Sequence, residues 1–111
     1  MPIPDFQSLM LPILQTMGDR RWRNAELIDE MGRRFSVTSE ERQILLPSRR
    51  QRLFDNRTHW AITYLFRSGL ISRLARGVYE VSDRGRHVLR RPPGKIDLRF
   101  LSVRTQTLRG T

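Results

Sequence analysis

The sequence predicts a mainly α-helical domain that carries a small β-hairpin. Apolar residues recur at helical spacing in several segments, and after Gly69 the pattern changes to the alternation of β-strands. Positive charge is concentrated around that change: residues 48–111 hold fifteen basic and four acidic residues, whereas residues 1–47 hold six and seven. Three helices, a hairpin directly after the third major one, and basic residues around that pair are typical of a winged helix-turn-helix.

The first helix is expected to begin after Pro4 and Asp5 and to end at Gly18. Pro12 lies inside this segment and removes one backbone hydrogen bond, so we expect a kink there. One face of the segment is apolar, because residues recur at i, i+3, i+4 and i+7 spacing. These residues are Phe6, Leu9, Met10, Ile13, Leu14 and Met17.

A short strand around Trp22 is expected before the second helix, for which Asn24 is the predicted N-cap. Thr38 or Ser39, followed by two glutamates, predicts the start of a short third helix that must end before Pro47. This third helix is an insertion in the winged-helix plan. The apolar positions expected to pack are Leu27, Ile28, Met31 and Phe35 in the second helix and Ile44, Leu45 and Leu46 after the third.

The fourth helix is expected to follow a basic loop, with Asp55 as its N-cap, Phe54 packing back as a staple and Gly69 at its C-terminus. Ile62 and Phe66 fall beside its polar side, so we expect them either to pack under the third helix or to mark a partner surface. A rotation of 100° per residue places five residues on one side of the helix, which is expected to be the core face. These are Trp60, Ala61, Tyr64, Leu65 and Ser68.

The hairpin is predicted from alternating residues on both sides of Arg76 and Gly77. Ser82 or Asp83 is the expected N-cap of a last short helix, which the segment Arg90 to Gly94 ends. We therefore predict a winged-helix domain over residues 1–91 and a linker or dangling tail over residues 92–111.

The composition excludes several classes of protein. A net charge of +10 favours a polyanionic partner, and nucleic acid is the leading candidate. The chain has no cysteine, which excludes disulfides and thiolate zinc sites and is compatible with a cytoplasmic location. No apolar run approaches the roughly 18 residues needed to span a bilayer, so no membrane partner is expected.

The fourth helix is predicted to enter the major groove of duplex DNA, because a winged helix places the helix before the hairpin there. Its polar stripe offers an asparagine for adenine, an arginine for guanine and a threonine methyl for the thymine methyl. A solvent-facing helix would show the same stripe, and its position between the basic loop and the hairpin favours DNA. The stripe consists of Asn56, His59, Thr63 and Arg67.

Arginines of the basic loop and the hairpin are suited to phosphate contacts, which set affinity and register rather than sequence preference. Such contacts make binding steeply dependent on salt. Arg84, Arg86, Arg90 and Arg91 are expected to solvate the last helix rather than to extend this surface. The complete set of predicted DNA-binding residues is Arg49, Arg50, Gln51, Arg52, Asn56, Arg57, His59, Thr63, Arg67, Arg73 and Arg76.

No catalytic residue, metal site or cofactor is expected in this chain. P-loop, HExxH, GxSxG and GxGxxG motifs do not occur, and Asp55, Asp83 and Asp97 lack the companion residues of a metal-dependent nuclease. His59 is expected to be solvated or hydrogen-bonded, because the only other histidine, His87, is distant in sequence.

Several motifs resemble the N-terminal domain of Mrr-type restriction endonucleases, and together they cover almost the whole chain. The family is more polar or basic at Ile62 and Phe66, which argues against base contacts by these two residues. The most specific motifs are Phe54-Asp55-Asn56-Arg57 and the Trp60-Ala61 and Thr63-Tyr64-Leu65 segments; further ones are Pro4 to Met10, Leu46-Pro47-Ser48, Gly69-Leu70, Arg76 to Tyr79 and Lys95 to Leu101.

The resemblance implies a winged-helix module that targets foreign, often methylated, DNA for a nuclease domain. That nuclease domain would follow the tail or act in trans, so it is not expected within these 111 residues. Two alternatives remain: a free-standing transcriptional regulator that binds two half-sites as a homodimer, and a protein-interaction module that uses Ile62 and Phe66.

Overall fold

The computed structural model describes residues 3–101. Its three strands form an antiparallel sheet in the order β1-β3-β2, and residues 98–101 form a further helical turn. The predicted combination of helices with a small hairpin is therefore confirmed, while the winged-helix arrangement stays a prediction. In chain order the elements are α1 (Phe6–Met17), β1 (Trp22–Arg23), α2 (Asn24–Arg34), α3 (Ser39–Arg42), α4 (Leu53–Arg67), β2 (Ile71–Ala75), β3 (Val78–Val81) and α5 (Asp83–Arg90).

Three helix starts follow the local signals. Asp5 caps α1 by accepting a hydrogen bond from the Ser8 amide at 2.8 Å, and this bond lowers the pKa of the Asp5 carboxyl below its usual value. A reciprocal capping box opens α3, since Thr38 Oγ1 accepts from the Glu41 amide at 3.1 Å and Glu41 Oε1 accepts from the Thr38 amide at 2.8 Å. Ser82 caps α5 through the amide of Gly85.

Two predicted N-caps were wrong. Helix α2 begins at Asn24 itself, with Arg23 as its N-cap. Helix α4 begins at Leu53, with Arg52 as its N-cap, and Asp55 lies inside its first turn. A tertiary contact explains the earlier start of α4, because the Leu53 amide donates to the carbonyl of Ile44 at 2.8 Å.

The segment after α3 does not pack as predicted. Ile44 and Leu45 are 45% and 47% exposed, and Leu46 is half-buried. Leu45 instead pairs with Arg52 in an isolated antiparallel bridge. The chain between α3 and α4 is thus closed into a loop by backbone hydrogen bonds, which hold Ile44 and Leu45 away from the core.

The core lies where α4 packs against both α1 and α2. Because α4 has two helical neighbours, its buried face differs from the one predicted. Trp60 is 45% exposed, so its predicted position on the core face was wrong. Ile62 is only 2% exposed, which agrees with the packed alternative rather than with a partner surface. The buried residues of α4 are Phe54, Thr58, Ala61, Ile62 and Leu65.

The end of α4 and the start of α5 are joined by hydrogen bonds. Gly69 follows α4 with a φ of 81°, a left-handed conformation that favours glycine. The Arg84 side chain of α5 donates to the carbonyl of Ser68 at 2.8 Å. A Cβ at position 69 would lie 3.0 Å from Arg84 Nη1, so the guanidinium occupies the space beside this glycine.

The described part of the predicted tail packs against the domain and does not dangle. Ile96 is fully buried and Leu101 is 6% exposed, and the Leu98 amide donates to Gln7 Oε1 at 3.1 Å. Short apolar clusters after a proline-rich stretch look like a linker in sequence, but here Ile96 and Leu101 join the core cluster. The predicted boundary after residue 91 stays a prediction, and residues 102–111 of the tail lie outside the described residues.

Candidate nucleic-acid interface

An open groove runs along the solvent side of α4 and the loop before it. Five of its six lining residues belong to the set that the sequence predicts for DNA binding, and the sixth is Trp60. Four of the positions on α4 follow one another at steps of three or four residues, and Trp60, next to His59, is four residues after Asn56, which places all five on one side of the helix. The lining residues are Gln51, Asn56, His59, Trp60, Thr63 and Arg67.

Backbone hydrogen bonds shape the basic loop at one end of this groove. The Leu46 amide donates to the carbonyl of Gln51 at 2.9 Å, and the Arg49 amide donates to the carbonyl of Leu46 at 2.8 Å. Arg49 adopts a positive φ of 60°, and the side chains of Arg49, Arg50 and Arg52 are exposed. The loop therefore presents three guanidinium groups next to the start of α4.

Gln51 and Asn56 orient each other at the junction of loop and helix. The Asn56 side-chain amide donates to Gln51 Oε1 at 3.1 Å. This bond uses one donor and one acceptor, so Asn56 Oδ1 and the Gln51 amide group keep hydrogen-bonding capacity for a ligand. The pair can present an acceptor and donors side by side, which is the pattern that bases offer in the major groove.

Arg57 has a structural contact that the sequence does not predict, and its DNA contact stays a prediction. Its guanidinium donates to the carbonyl of Ile3 at 2.8 Å and to that of Pro4 at 3.4 Å. Arg57 does not line the α4 groove. It attaches the segment before α1 to α4, a contact between residues more than fifty positions apart that no local pattern indicates.

Trp60 is the residue of this groove that the sequence prediction missed. Its exposed indole packs against Tyr64 with the ring centroids 5.9 Å apart, and Tyr64 stacks on Phe6 at 5.3 Å. The helical-wheel prediction assigned Trp60 to the core because it counted the indole as apolar. The spacing could have placed Trp60 in the groove, since Trp60 is four residues after Asn56 and adjacent to His59 on the polar stripe.

The remaining predicted arginines, Arg73 and Arg76, belong to the hairpin and do not line the groove. Arg73 on β2 is opposite Tyr79 on β3, and an irregularity in the register follows between Arg73 and Ala75. Arg76 and Gly77 form the turn, and Gly77 has a φ of 73°. Both Arg73 and Arg76 are exposed, so this end of the sheet is positively charged.

The arginines of the basic loop, the hairpin and the α4 groove differ in ion pairing from other arginines of the domain. Among residues 3–101, carboxylates lie within 4 Å of the guanidinium groups of Arg20, Arg33, Arg42 and Arg86. In the same described part, no such pair involves an arginine of the basic loop, the hairpin or the α4 groove. An unpaired guanidinium keeps its charge and its fork of donors for an external anion.

Neither a bilayer-spanning helix nor a metal-binding cluster is found in the described range. Over residues 3–101, no helix has the length and hydrophobicity required to cross a bilayer. Within this range there is also no group of three or more His, Cys, Asp or Glu side chains able to hold a metal ion.

Comparison with known proteins identifies the family. No curated protein and no solved structure matched the chain. The family model described as the Mrr N-terminal domain matches residues 6–91, which is most of the chain and includes every element from α1 to α5. The chain therefore belongs to the Mrr N-terminal domain family, which associates it with Mrr-type restriction systems.

Proposed function

We propose that this domain binds double-stranded DNA as the targeting module of an Mrr-type restriction system. Helix α4 enters the major groove, the loop before it and the hairpin contact the backbone, and the whole works as a winged helix-turn-helix. The groove on α4 carries the proposal, because it gathers hydrogen-bonding side chains and one exposed aromatic ring on a single helix face.

The dimensions of α4 suit this placement. Asn56 and Arg67 are eleven residues apart, so the stripe extends about 16 Å along the helix axis. The major groove is about 12 Å wide and admits an α-helix. At about 3.4 Å per base pair, a stripe of this length reaches about five base pairs.

Each groove residue has a chemical role in this arrangement. Arg67 is suited to the two acceptors of guanine, and Asn56 to the donor and acceptor of adenine. Trp60 supplies an apolar surface for the methyl group at C5 of a pyrimidine. A methyl group on foreign or modified DNA would be recognised at the same surface.

The nuclease that such targeting requires would be joined to this domain or act in trans, in the cytoplasm. The domain binds the duplex, and the partner cleaves it. The role proposed for residues 3–101 involves neither a catalytic step nor a metal ion.

Fluorescence anisotropy with a labelled duplex across a salt series tests the proposal. Three loop arginines and two hairpin arginines contacting phosphates would give a slope of log K against log salt of about −4.5. The matching single strand serves as the comparison ligand, since it lacks a major groove. Absent binding, or binding to the duplex that does not depend on salt, would contradict the proposal.

The two alternative functions differ in the support that they have from the structure. The protein-interaction module relied on Ile62 and Phe66 as an exposed apolar pair, and Ile62 is buried, so we do not propose it. A free-standing regulator would use the same α4 surface but as a homodimer on two half-sites about 34–36 Å apart. The stoichiometry of the complex on a single site distinguishes it from the targeting module, for which one domain per site is sufficient.

A further inference from the structure

Strand β1, which belongs to the less basic residues 1–47, pairs with the hairpin. In the sheet Trp22 is opposite Tyr79 and Arg23 is opposite Val78. Directly after β1, the Asn24 amide donates to the carbonyl of Gly77 in the hairpin turn at 3.1 Å. The junction between β1 and α2 is therefore fixed beside the hairpin turn, although more than fifty residues separate them in sequence.

The anchoring of Trp22 leaves its two neighbours in solvent. Trp22 is buried, and its indole N–H donates to the carbonyl of Met17 at 2.9 Å. Successive side chains of a strand point to opposite sides, and Arg21 and Arg23 are both exposed. These two arginines line an open groove together with the hairpin residues Leu74, Ala75 and Val78.

Within the described part of the chain, Glu26 supplies the only carboxylate that lines this groove. Its oxygens contact neither the Arg21 nor the Arg23 guanidinium. Glu26 Oε1 accepts from the Arg23 backbone amide at 2.9 Å, and Oε2 lies 3.7 Å from the Arg20 guanidinium. Arg20 also lies over the Trp22 ring at 3.5 Å. Among residues 3–101, the guanidinium groups of Arg21 and Arg23 have no carboxylate within 4 Å.

We propose that Arg21 and Arg23 bind backbone phosphates of the DNA duplex, beside the phosphates contacted by the hairpin. This inference rests on the function proposed above. Guanidinium forks bind phosphate oxygens with two parallel hydrogen bonds. Exposed Leu74, with Ala75 and Val78, gives the groove an apolar wall against which the carbon atoms of a deoxyribose can pack. The hairpin and β1 thus form one phosphate-binding surface.

The test compares two double variants that remove the same charge. Arg21→Gln with Arg23→Gln removes the proposed contacts, and Arg33→Gln with Arg34→Gln is the matched control at the opposite end of α2, about 15 Å away. Loss of two phosphate contacts reduces the salt slope by about 1.8. Between 50 and 200 mM salt the wild-type protein then loses about twelvefold more affinity than the first variant. The control keeps the wild-type slope.

A charge-conserving variant separates phosphate binding from folding. Arg21→Lys with Arg23→Lys restores most of the salt slope if charge at these positions contacts phosphate. Hydroxyl-radical footprinting supplies a second readout: the glutamine variant loses protection of the sugars next to the hairpin and keeps the protection given by α4.

Three results would overturn the inference. The first is a glutamine variant with the wild-type slope and footprint, while wild-type protein binds DNA. The second is an equal change in the Arg33 and Arg34 control, which would indicate long-range charge alone. The third is saturable binding of inorganic phosphate at Arg21 and Arg23 with an unchanged DNA slope, which would assign the site to free phosphate. Failure of the wild-type protein to bind any duplex would instead refute the function proposed above.

Discussion

Helices α4 and α5 both carry arginine, and they differ in the groups that these arginines contact. In α5, Arg84 donates to the carbonyl of Ser68, and Arg86 pairs with Asp83 at 3.2 Å. Arg67 of α4 lines an open groove and, among residues 3–101, has no carboxylate partner. The same residue type thus closes the fold at Arg84, as Arg57 also does within α4, and remains available to a ligand at Arg67. At Arg67 the absence of an internal partner among the described residues, rather than the number of charges in the helix, supports the proposed contact with DNA.

The largest expected effect tests whether α5 is structural. A Cβ at Gly85 would overlap the carbonyl oxygen of Leu70 and lie 2.7 Å from Val81 Cγ1. We expect Gly85→Ala to lower the free energy of unfolding by about 3 kcal/mol, measured by urea denaturation. Gly94→Ala is the control, because a Cβ there has nothing within 4 Å. Equal stabilities of the two variants would refute close packing of α5 on the hairpin.

Next in size is the effect of removing a base contact from α4. Arg67→Ala and Asn56→Ala should each weaken binding to the preferred duplex by about 1–3 kcal/mol and relax sequence or modification preference. Thermal melting should show little change, since Arg67 is exposed and, among residues 3–101, the Asn56 side chain has a hydrogen bond to Gln51 alone. Competition against unrelated duplexes measures the preference. A uniform loss of affinity across all duplexes would indicate that α4 contacts only phosphates.

The corresponding variant in α5 should show the opposite pattern. Arg84→Ala removes the hydrogen bond to the Ser68 carbonyl, which we expect to cost about 1 kcal/mol of stability. The salt slope of DNA binding should not change, because this guanidinium is directed at the protein. Urea denaturation and anisotropy are carried out on the same sample. A shallower slope with unchanged stability would move Arg84 into the interface.

A smaller effect concerns Trp60. Replacing one contacted thymine by uracil removes a methyl group whose burial contributes about 0.8 kcal/mol, so the wild-type protein should bind about fourfold more weakly. Trp60→Ala should bind thymine and uracil duplexes equally. The comparison is made at each thymine of the site in turn, by anisotropy. If the variant discriminates as the wild-type protein does, Trp60 does not contact the methyl group.

The smallest change is expected for a single phosphate contact in the basic loop. Arg50→Ala should weaken binding to all duplexes alike and make the salt slope shallower by about 0.9. Arg34→Ala removes the same charge from the far end of α2 and serves as its control. A sequence-dependent effect of Arg50→Ala would place this arginine on a base edge.

Local patterns were sufficient for most elements and insufficient for the faces that they bury. The ends of α1 and the turn at Gly77 could be predicted because a cap or an alternation specifies them within a few residues. The buried face of α4 could not, since it depends on packing against α1 and α2 together. That is why Trp60 was assigned to the wrong face and why the sequence left two alternatives open for Ile62.

The candidate site could also be predicted only in part, because local spacing specifies some of its residues and long-range contacts specify others. Five of the six groove residues follow from spacing on one helix, which is a local property. The hydrogen bonds of Arg57 to the segment before α1, and the position of Arg21 and Arg23 beside the hairpin, come from contacts across more than fifty residues of chain, which no local pattern indicates. DNA contact by Arg57 stays a prediction. The count of charges along the sequence drew attention away from residues 1–47, whereas the pairing of β1 with β3 places Arg23 beside the basic hairpin.

The contact between Gly69 and Arg84 also has an evolutionary consequence. A side chain at position 69 would meet two obstacles, the left-handed backbone and the guanidinium 3.0 Å from a Cβ. We therefore expect the two positions to covary among homologues. Where asparagine, which tolerates this backbone conformation, replaces glycine, position 84 should carry a shorter residue. The junction between the proposed reading helix and its support would then change only through paired substitutions.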